Sequence, residues 1–226
     1  MGFFARTVSD LQLVLKPFFT PILDMNAFQS PISLQGSKVA FLKTHVWPKA
    51  GPGTQVAWDK AHGILTNTGA IVQDAELHPD FASSSELAKI IVSKEAQSSF
   101  QAYILSSKES LDASIMKTVE NGASISTVDL LKSDDEVARL RPIWDSWAMQ
   151  YDVIITPSVP DEAPRGLDWT GDSSFCSMWT LLHVPVLNIP IAHGENGLPI
   201  GLSVVGPRYG DMKVLRAAGL LEEVLR

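Results

Sequence analysis

The chain has 226 residues, enough for one large domain with a real core, and its 45% apolar and 19% charged residues are those of a globular protein rather than a disordered one. A net charge of -7 without any Lys/Arg run argues against nucleic-acid and anionic-membrane partners, and no apolar stretch reaches the roughly 18 residues of a membrane span. The single cysteine, Cys176, excludes an intrachain disulfide and a multi-cysteine metal site, so a cytoplasmic protein is expected.

Met1 to Arg6 does not open a secretory signal, because Asp10 and Gln12 interrupt what would be its apolar part. Arg6 also stands where a myristoylation site needs Ser or Thr. Arg6 to Pro17 reads as a helix: Thr7 and Asp10 make a capping-box pattern, Val8, Leu11 and Leu15 share a face, and Pro17 is expected to stop it. A proline-punctuated stretch follows to Gly36. Lys38–Leu42 is a strand buried on both faces if its sheet is parallel. Thr54 to Gly69 is a helix with Ala57, Ala61, Ile64 and Leu65 on one face, and Ala70-Ile71-Val72 a second strand. Residues 38 to 72 thus form strand–helix–strand, the unit of a parallel sheet.

Residues 84 to 150 read as mostly helical. Val137, Leu140, Trp144, Trp147 and Ala148 make an apolar stripe, and Pro142 predicts a kink or a late start within it. Asp152 to Pro157 is a buried strand ended by proline, with a polar loop after it to about Gly171. Ser173–Leu182 forms a short helix. Strands at 185–191 and 200–205 flank a turn at Gly194–Gly197, whose Asn-Gly pair signals a hairpin. Asp211 to Leu225 closes as an amphipathic helix with Val214, Ala218, Leu221 and Leu225 on one face. Alternating strands and helices predict an α/β fold, and the hairpin makes the sheet mixed.

The chemistry-bearing residues mostly have plain readings. His45, His62, His78, His183 and His193 show no metal-ligand spacing and read as surface or structural histidines. Cys176 reads as a small buried side chain rather than a nucleophile. Ser83-Ser84-Ser85 and Ser173-Ser174 precede helices and suit N-capping. Asp134-Asp135 suits a solvated helix start, Asp161-Glu162 a loop, and Gly51-Pro52-Gly53 a turn rather than a dinucleotide fingerprint. There is no Gly-x-Ser-x-Gly elbow and no phosphate loop. Ligands of open α/β sheets bind beyond the carboxyl ends of strands, so the loop after Thr156-Pro157 is a pocket candidate, with simple strand capping by Thr156 the equal alternative.

Several stretches together resemble the amidase signature family. Gly2-Phe3-Phe4-Ala5-Arg6-Thr7-Val8-Ser9-Asp10-Leu11 is similar to its "G-x-x-x-R-S/T-V-x-D-L" segment. Tyr151 to Pro157 resembles "Y-D-V/L-L/I-L/I-T-P", and His183 to Pro190 resembles "G-x-P-A-x-S/T-V/I-P". Gly197 to Gly206 matches "G-L-P-V/I-G-L/V-Q-L/I-I/V-G", and Asp211 opens a helix as in the family. His183 stands where Gly is common, Asn188 where Ser/Thr is usual, and Ser203 where Gln is usual.

The resemblance implies a mixed β-sheet flanked by helices on both faces, with residues 1–226 the C-terminal part of a single amidase-type domain. It implies amide hydrolysis through a serine acyl-enzyme, the serine relayed through a second serine on a cis peptide to a lysine, with no metal or organic cofactor. That triad lies upstream of the segment matched by Gly2–Leu11, so no catalytic residue is carried onto this chain, which alone is expected to be inactive. Thr156, Pro157 and Ser158 would start a loop near the acyl site, and Phe175, Met178 and Trp179 would line an apolar channel or simply pack the core. The implied partners are a small-molecule amide and a complementing N-terminal half or a second copy. The rival expectation is a non-catalytic remnant or binding module derived from an amidase.

Overall fold

The computed structural model describes residues 2–19 and 33–225. The proline-punctuated stretch after Pro17 falls largely outside them. The described elements, in chain order, are α1 (Val8–Phe19), β1 (Lys38–Leu42), α2 (Pro52–Thr66), β2 (Ile71–Ala75), α3 (Ser84–Ser99), α4 (Gln101–Ser107), α5 (Ala113–Ser124), α6 (Thr127–Ala148), β3 (Val153–Pro157), α7 (Ser174–Leu182), β4 (Val186–His193), β5 (Pro199–Val205) and α8 (Asp211–Leu225). The strands form one mixed sheet in the order β2-β1-β3-β5-β4. β1 runs parallel to β2 and β3, while β5 runs antiparallel to both β3 and β4. The α/β class and the helices on both faces agree with expectation.

Alternation along the strands divides the core in two. Val39, Phe41, Val153, Ile155, Leu187, Ile189, Leu202 and Val204 point to one face, where α2 supplies Ala57, Trp58, Ala61 and Leu65 and α8 supplies Val214, Ala218, Leu221 and Leu225. Val8, Leu11 and Leu15 of α1 join this layer, and the Val8 N–H donates to Glu222 Oε2 at 3.0 Å. Ala40, Leu42, Ile154 and Val205 point to the other face, under Leu140, Trp144 and Ala148 of α6 and Met178, Trp179 and Leu182 of α7. The Trp144 ring nitrogen donates to Gly206 O at 3.0 Å, which satisfies its one polar atom in the core. α3 packs over α5, α6 and α7 as an outer helical layer.

Some local expectations are corrected. Pro17 does not stop α1, which runs on to Phe19, and Pro142 does not delay the start of α6, which runs from Thr127 to Ala148. Each proline removes one helical hydrogen bond, at a cost of about 3 kcal/mol in a helix interior. In α6 the buried series Val137, Leu140, Trp144, Ala148 spans the proline and outweighs that loss. Asp134-Asp135 therefore lies mid-helix, not at a helix start. Ser83 and Ser173 do stand at the N-caps of α3 and α7, but neither hydroxyl bonds a helix N–H: those of Ser83 and Ser84 donate back to Asp80 O and Phe81 O, and the Ser174 N–H of α7 is taken by Asp172 Oδ1 at 2.8 Å. Gly51-Pro52-Gly53 is the N-terminus of α2.

Candidate functional site

The three parallel strands β2, β1 and β3 end on one edge of the sheet, the edge where open α/β sheets bind ligands. There the chain leaves β3 through Thr156, Pro157 and Ser158, and the registers align Thr156 with Ser203 and Ser203 with Asn188. Three polar residues thus make a single row across β3, β5 and β4 on the α6/α7 face. Ser158 Oγ donates to Asn188 Oδ1 at 2.5 Å, so the Ser203 hydroxyl, 2.9 Å away, is the donor to Ser158. Thr156, Ser158 and Ser203 are buried, while Asn188 is exposed on the edge strand. Gly201 leaves room for this cluster: a Cβ there would collide with the Asn188 side-chain amide and lie 2.7 Å from the Ile189 carbonyl.

The loop from 158 to 173 is tied down at several points. Gly51 N–H donates to Pro160 O at 2.7 Å and the Thr54 hydroxyl to Val159 O at 3.1 Å, fixing the loop on the start of α2. Glu162 accepts from the N–H groups of Asn196 (2.9 Å) and Leu198 (3.1 Å), fixing the same loop on the β4–β5 turn; these bonds, the Asn196 N–H foremost, hold its carboxyl below the usual range. Asp172 closes the loop. Burial opposes its ionisation, yet the bond from Lys49 Nζ at 2.9 Å and the Ser174 N–H keep its pKa lowered.

Beside this edge lies a cavity of about 860 Å³ between α3, α6 and α7, within the size range of small-molecule pockets. Its α7 wall is the outer helix face, with Ser173, Cys176, Ser177 and Thr180; α3 adds Ala88, Lys89 and Glu95, and α6 adds Asp134, Val137 and Arg141. Cys176 connects the cavity to the polar row, since its thiol donates to Ser158 O at 3.2 Å. Cys176 is exposed, against the expected buried position, and desolvation of its sulfur pushes the thiol up, so it stays protonated rather than nucleophilic.

The sequence-derived candidates divide between these features. Thr156, Pro157 and Ser158 stand together at the end of β3. Phe175, Met178 and Trp179 point the opposite way from the cavity: Phe175 packs with Val46 and Ala50, and Met178 and Trp179 with Trp144, whose ring lies 5.0 Å from that of Trp179. Sequence reasoning passed over Ser173, Cys176, Thr180 and Arg141 as cavity residues. The 3.6-residue period of α7 placed its polar residues opposite its buried ones, but only the position of α3 turns that polar face into a wall. His45 contacts Oγ of Ser85, a cavity residue, at 2.8 Å, with burial foremost and Lys49 next in lowering its pKa. Among the described residues no group of three His, Cys, Asp or Glu could hold a metal ion, and no helix is long and apolar enough to cross a membrane.

A family model described as Amidase matches residues 1–215. A 2-amino-5-chloromuconic acid deaminase of Comamonas testosteroni is 23% identical over 235 residues, covering 99% of this chain and 51% of that protein. A fatty acid amide hydrolase of Oryza sativa subsp. indica is 32% identical over 87 residues, 33% of this chain and 14% of that protein. A crystal structure of an amidase superposes with a TM-score of 0.78 at 24% identity, covering 98% of this chain and 52% of that one. The chain spans about half the length, or less, of the relatives it matches.

Proposed function

This chain belongs to the amidase family, and from that premise we propose that it forms the C-terminal, substrate-pocket part of an amide hydrolase working through a serine acyl-enzyme, with the Ser-Ser-Lys triad supplied from outside these 226 residues. The observation that carries this reading is the joining of the 860 Å³ cavity to the Thr156–Ser203–Asn188 row through the Cys176–Ser158 contact. A small amide fits a concave, half-apolar space with a few fixed polar groups at one end. Thr156, Pro157 and Ser158 border the acyl position. Phe175, Met178 and Trp179 act from behind, holding α7 so that its outer face meets the ligand. The sheet ends at β4, whose outer edge has no partner strand among the described residues, and that edge suits pairing with a complementing half or a second copy. The single cysteine, which has no intrachain disulfide partner, supports a reducing, cytoplasmic setting.

Two measurements test the proposal. A serine-directed fluorophosphonate should label no serine of the purified chain, and stoichiometric labelling of one would overturn the claim that the nucleophile lies elsewhere. Butyramide should shift the amide resonances of Ser177 and Thr180; shifts confined to another surface would remove the pocket assignment. A second reading, a non-catalytic binding module, is favoured by His183, Asn188 and Ser203, three polar departures from the family pattern that fall on the cavity or the polar row. An in-frame Gly/Ser-rich segment encoded upstream of Met1 would support the hydrolase, and decayed sequence the binding module.

A further inference from the structure

Arg141 stands on α6 with its guanidinium on the cavity wall. Its Nη2 donates to the Leu181 carbonyl, near the end of α7, and to His183 Nε2, each at 3.0 Å. Accepting that bond fixes the neutral imidazole with its proton on Nδ1. His183 is the residue just past α7, at φ 57 and ψ 44, a left-handed position that favours glycine. A β-carbon is strained there, and what the histidine gains over glycine is the contact that orients Arg141. An observed strain that serves a neighbouring side chain points to function.

The rest of the guanidinium is unspent. Arg141 Nε is buried without a partner, and Nη1 meets no protein acceptor among the described residues. Two other arginines, Arg139 on the same helix and Arg208, have carboxylates: Arg139 lies 2.7 Å from Asp80 and 2.6 Å from Glu136, and Arg208 lies 2.7 Å from Asp145. Arg141, half-buried, has only neutral acceptors. Asp134 and Asp135 line the same cavity but sit roughly 9–10.5 Å away along α6 at 1.5 Å per residue, and Glu95, on the facing helix, acts on His183 without forming an ion pair with Arg141. A half-buried cation with fixed geometry and a free Nη1 fits a carboxylate brought by the occupant.

We propose that the amide taken by this cavity carries a carboxylate, that Arg141 recognises it, and that His183 is the positioning residue that aims the guanidinium. This rests on the cavity being the amide pocket. The test uses the full chain and two ligands of one shape, succinamate and butyramide, which differ by a carboxylate in place of a methyl group. Titrations followed by NMR should show succinamate binding at least about tenfold tighter, the worth of one charge-assisted pair. Arg141→Gln should bring the two ligands to equal affinity. His183→Gly should cut the preference several-fold while raising the melting temperature, a split that a purely structural histidine would not give, and it keeps the proposal open to test if Arg141→Gln fails to fold. Equal affinities in the unaltered chain, a preference that survives Arg141→Gln, or one left undiminished by His183→Gly would overturn this inference and leave the amide pocket standing. Saturable binding of neither ligand would overturn both.

Discussion

On the face of the sheet beneath α2 and α8, the rows across β3, β5 and β4 are apolar throughout: Ile155, Val204 and Leu187, then Leu202 and Ile189. On the opposite face the same strands carry Ile154 and Val205 in one row and Thr156, Ser203 and Asn188 in the next. The strands are identical and only the side-chain parity differs. Each polar group placed against a sheet must find a partner or lose its hydrogen bonds to water. Here Ser203, Ser158 and Asn188 satisfy one another, with Asn188 open to solvent at the edge. The first face is built for packing, and the second gives up packing to hold polar groups beside a cavity. Stability and ligand binding should therefore respond to opposite sets of substitutions.

The largest effect is expected from Phe41→Ala on the packed face. Phe41 is fully buried, edge-on to Trp58 at 4.9 Å and close to His62 at 4.8 Å. Removing it should cost about 3–5 kcal/mol in denaturant unfolding, with little change in the ligand affinity of whatever chain remains folded. A loss below about 1 kcal/mol would mean that this layer does not dominate stability. Gly201→Ala probes the other face. The Asn188 amide can swing into solvent, but the Ile189 carbonyl is backbone and must shift, so a loss of about 1–3 kcal/mol is expected. Ser203→Ala should cost only about 1 kcal/mol, because Ser158 still donates to Asn188 and loses one incoming bond. If Ser203→Ala unfolded the chain as readily as Phe41→Ala, the contrast between the faces would be lost.

The packed face was legible in the sequence and the cavity was not, for a physical reason. The buried sides of α2 and α8 and the strand at 153–157 announce themselves by periodicity, because every apolar residue at the right spacing has the same destination. The resemblance added the order of elements and drew notice to His183, Asn188 and Ser203 as departures. The cavity depends on how α3 lies against α7 and α6, an arrangement of three helices distant in sequence, and no local pattern encodes it. Asp172 was hidden for a related reason. A serine pair before a helix is the commoner cap, and what recruits the aspartate instead is Lys49, more than a hundred residues earlier, bonding its second oxygen. The late helix start offered for Pro142 failed because a local propensity was weighed without the tertiary stripe that overrides it.

The smallest effect expected, and the one most confined to the cavity face, is a response to mild acid. His183 is held below its ordinary pKa by burial first, then by the cations Arg141 of α6 and Arg208 beyond β5, with Glu95 of α3 pulling the other way. In the unfolded chain it titrates near 6.5. The unfolded state therefore takes up a proton more readily than the folded one just below that pH, so the neutral-histidine contact helps the fold fully above about 6.5 and loses ground as the pH falls toward the lower folded value. Once protonated, Nε2 carries a hydrogen and can no longer accept from Arg141, and two cations then face each other at 3.0 Å. The ring resonances of His183 should titrate with a midpoint below about 6.5, and over the same range amide exchange at Thr180 and Leu181 should quicken while the α2/α8 layer stays protected. A midpoint at or above the unfolded value, or equal quickening on both faces, would mean that the Arg141–His183 contact does not hold the cavity wall.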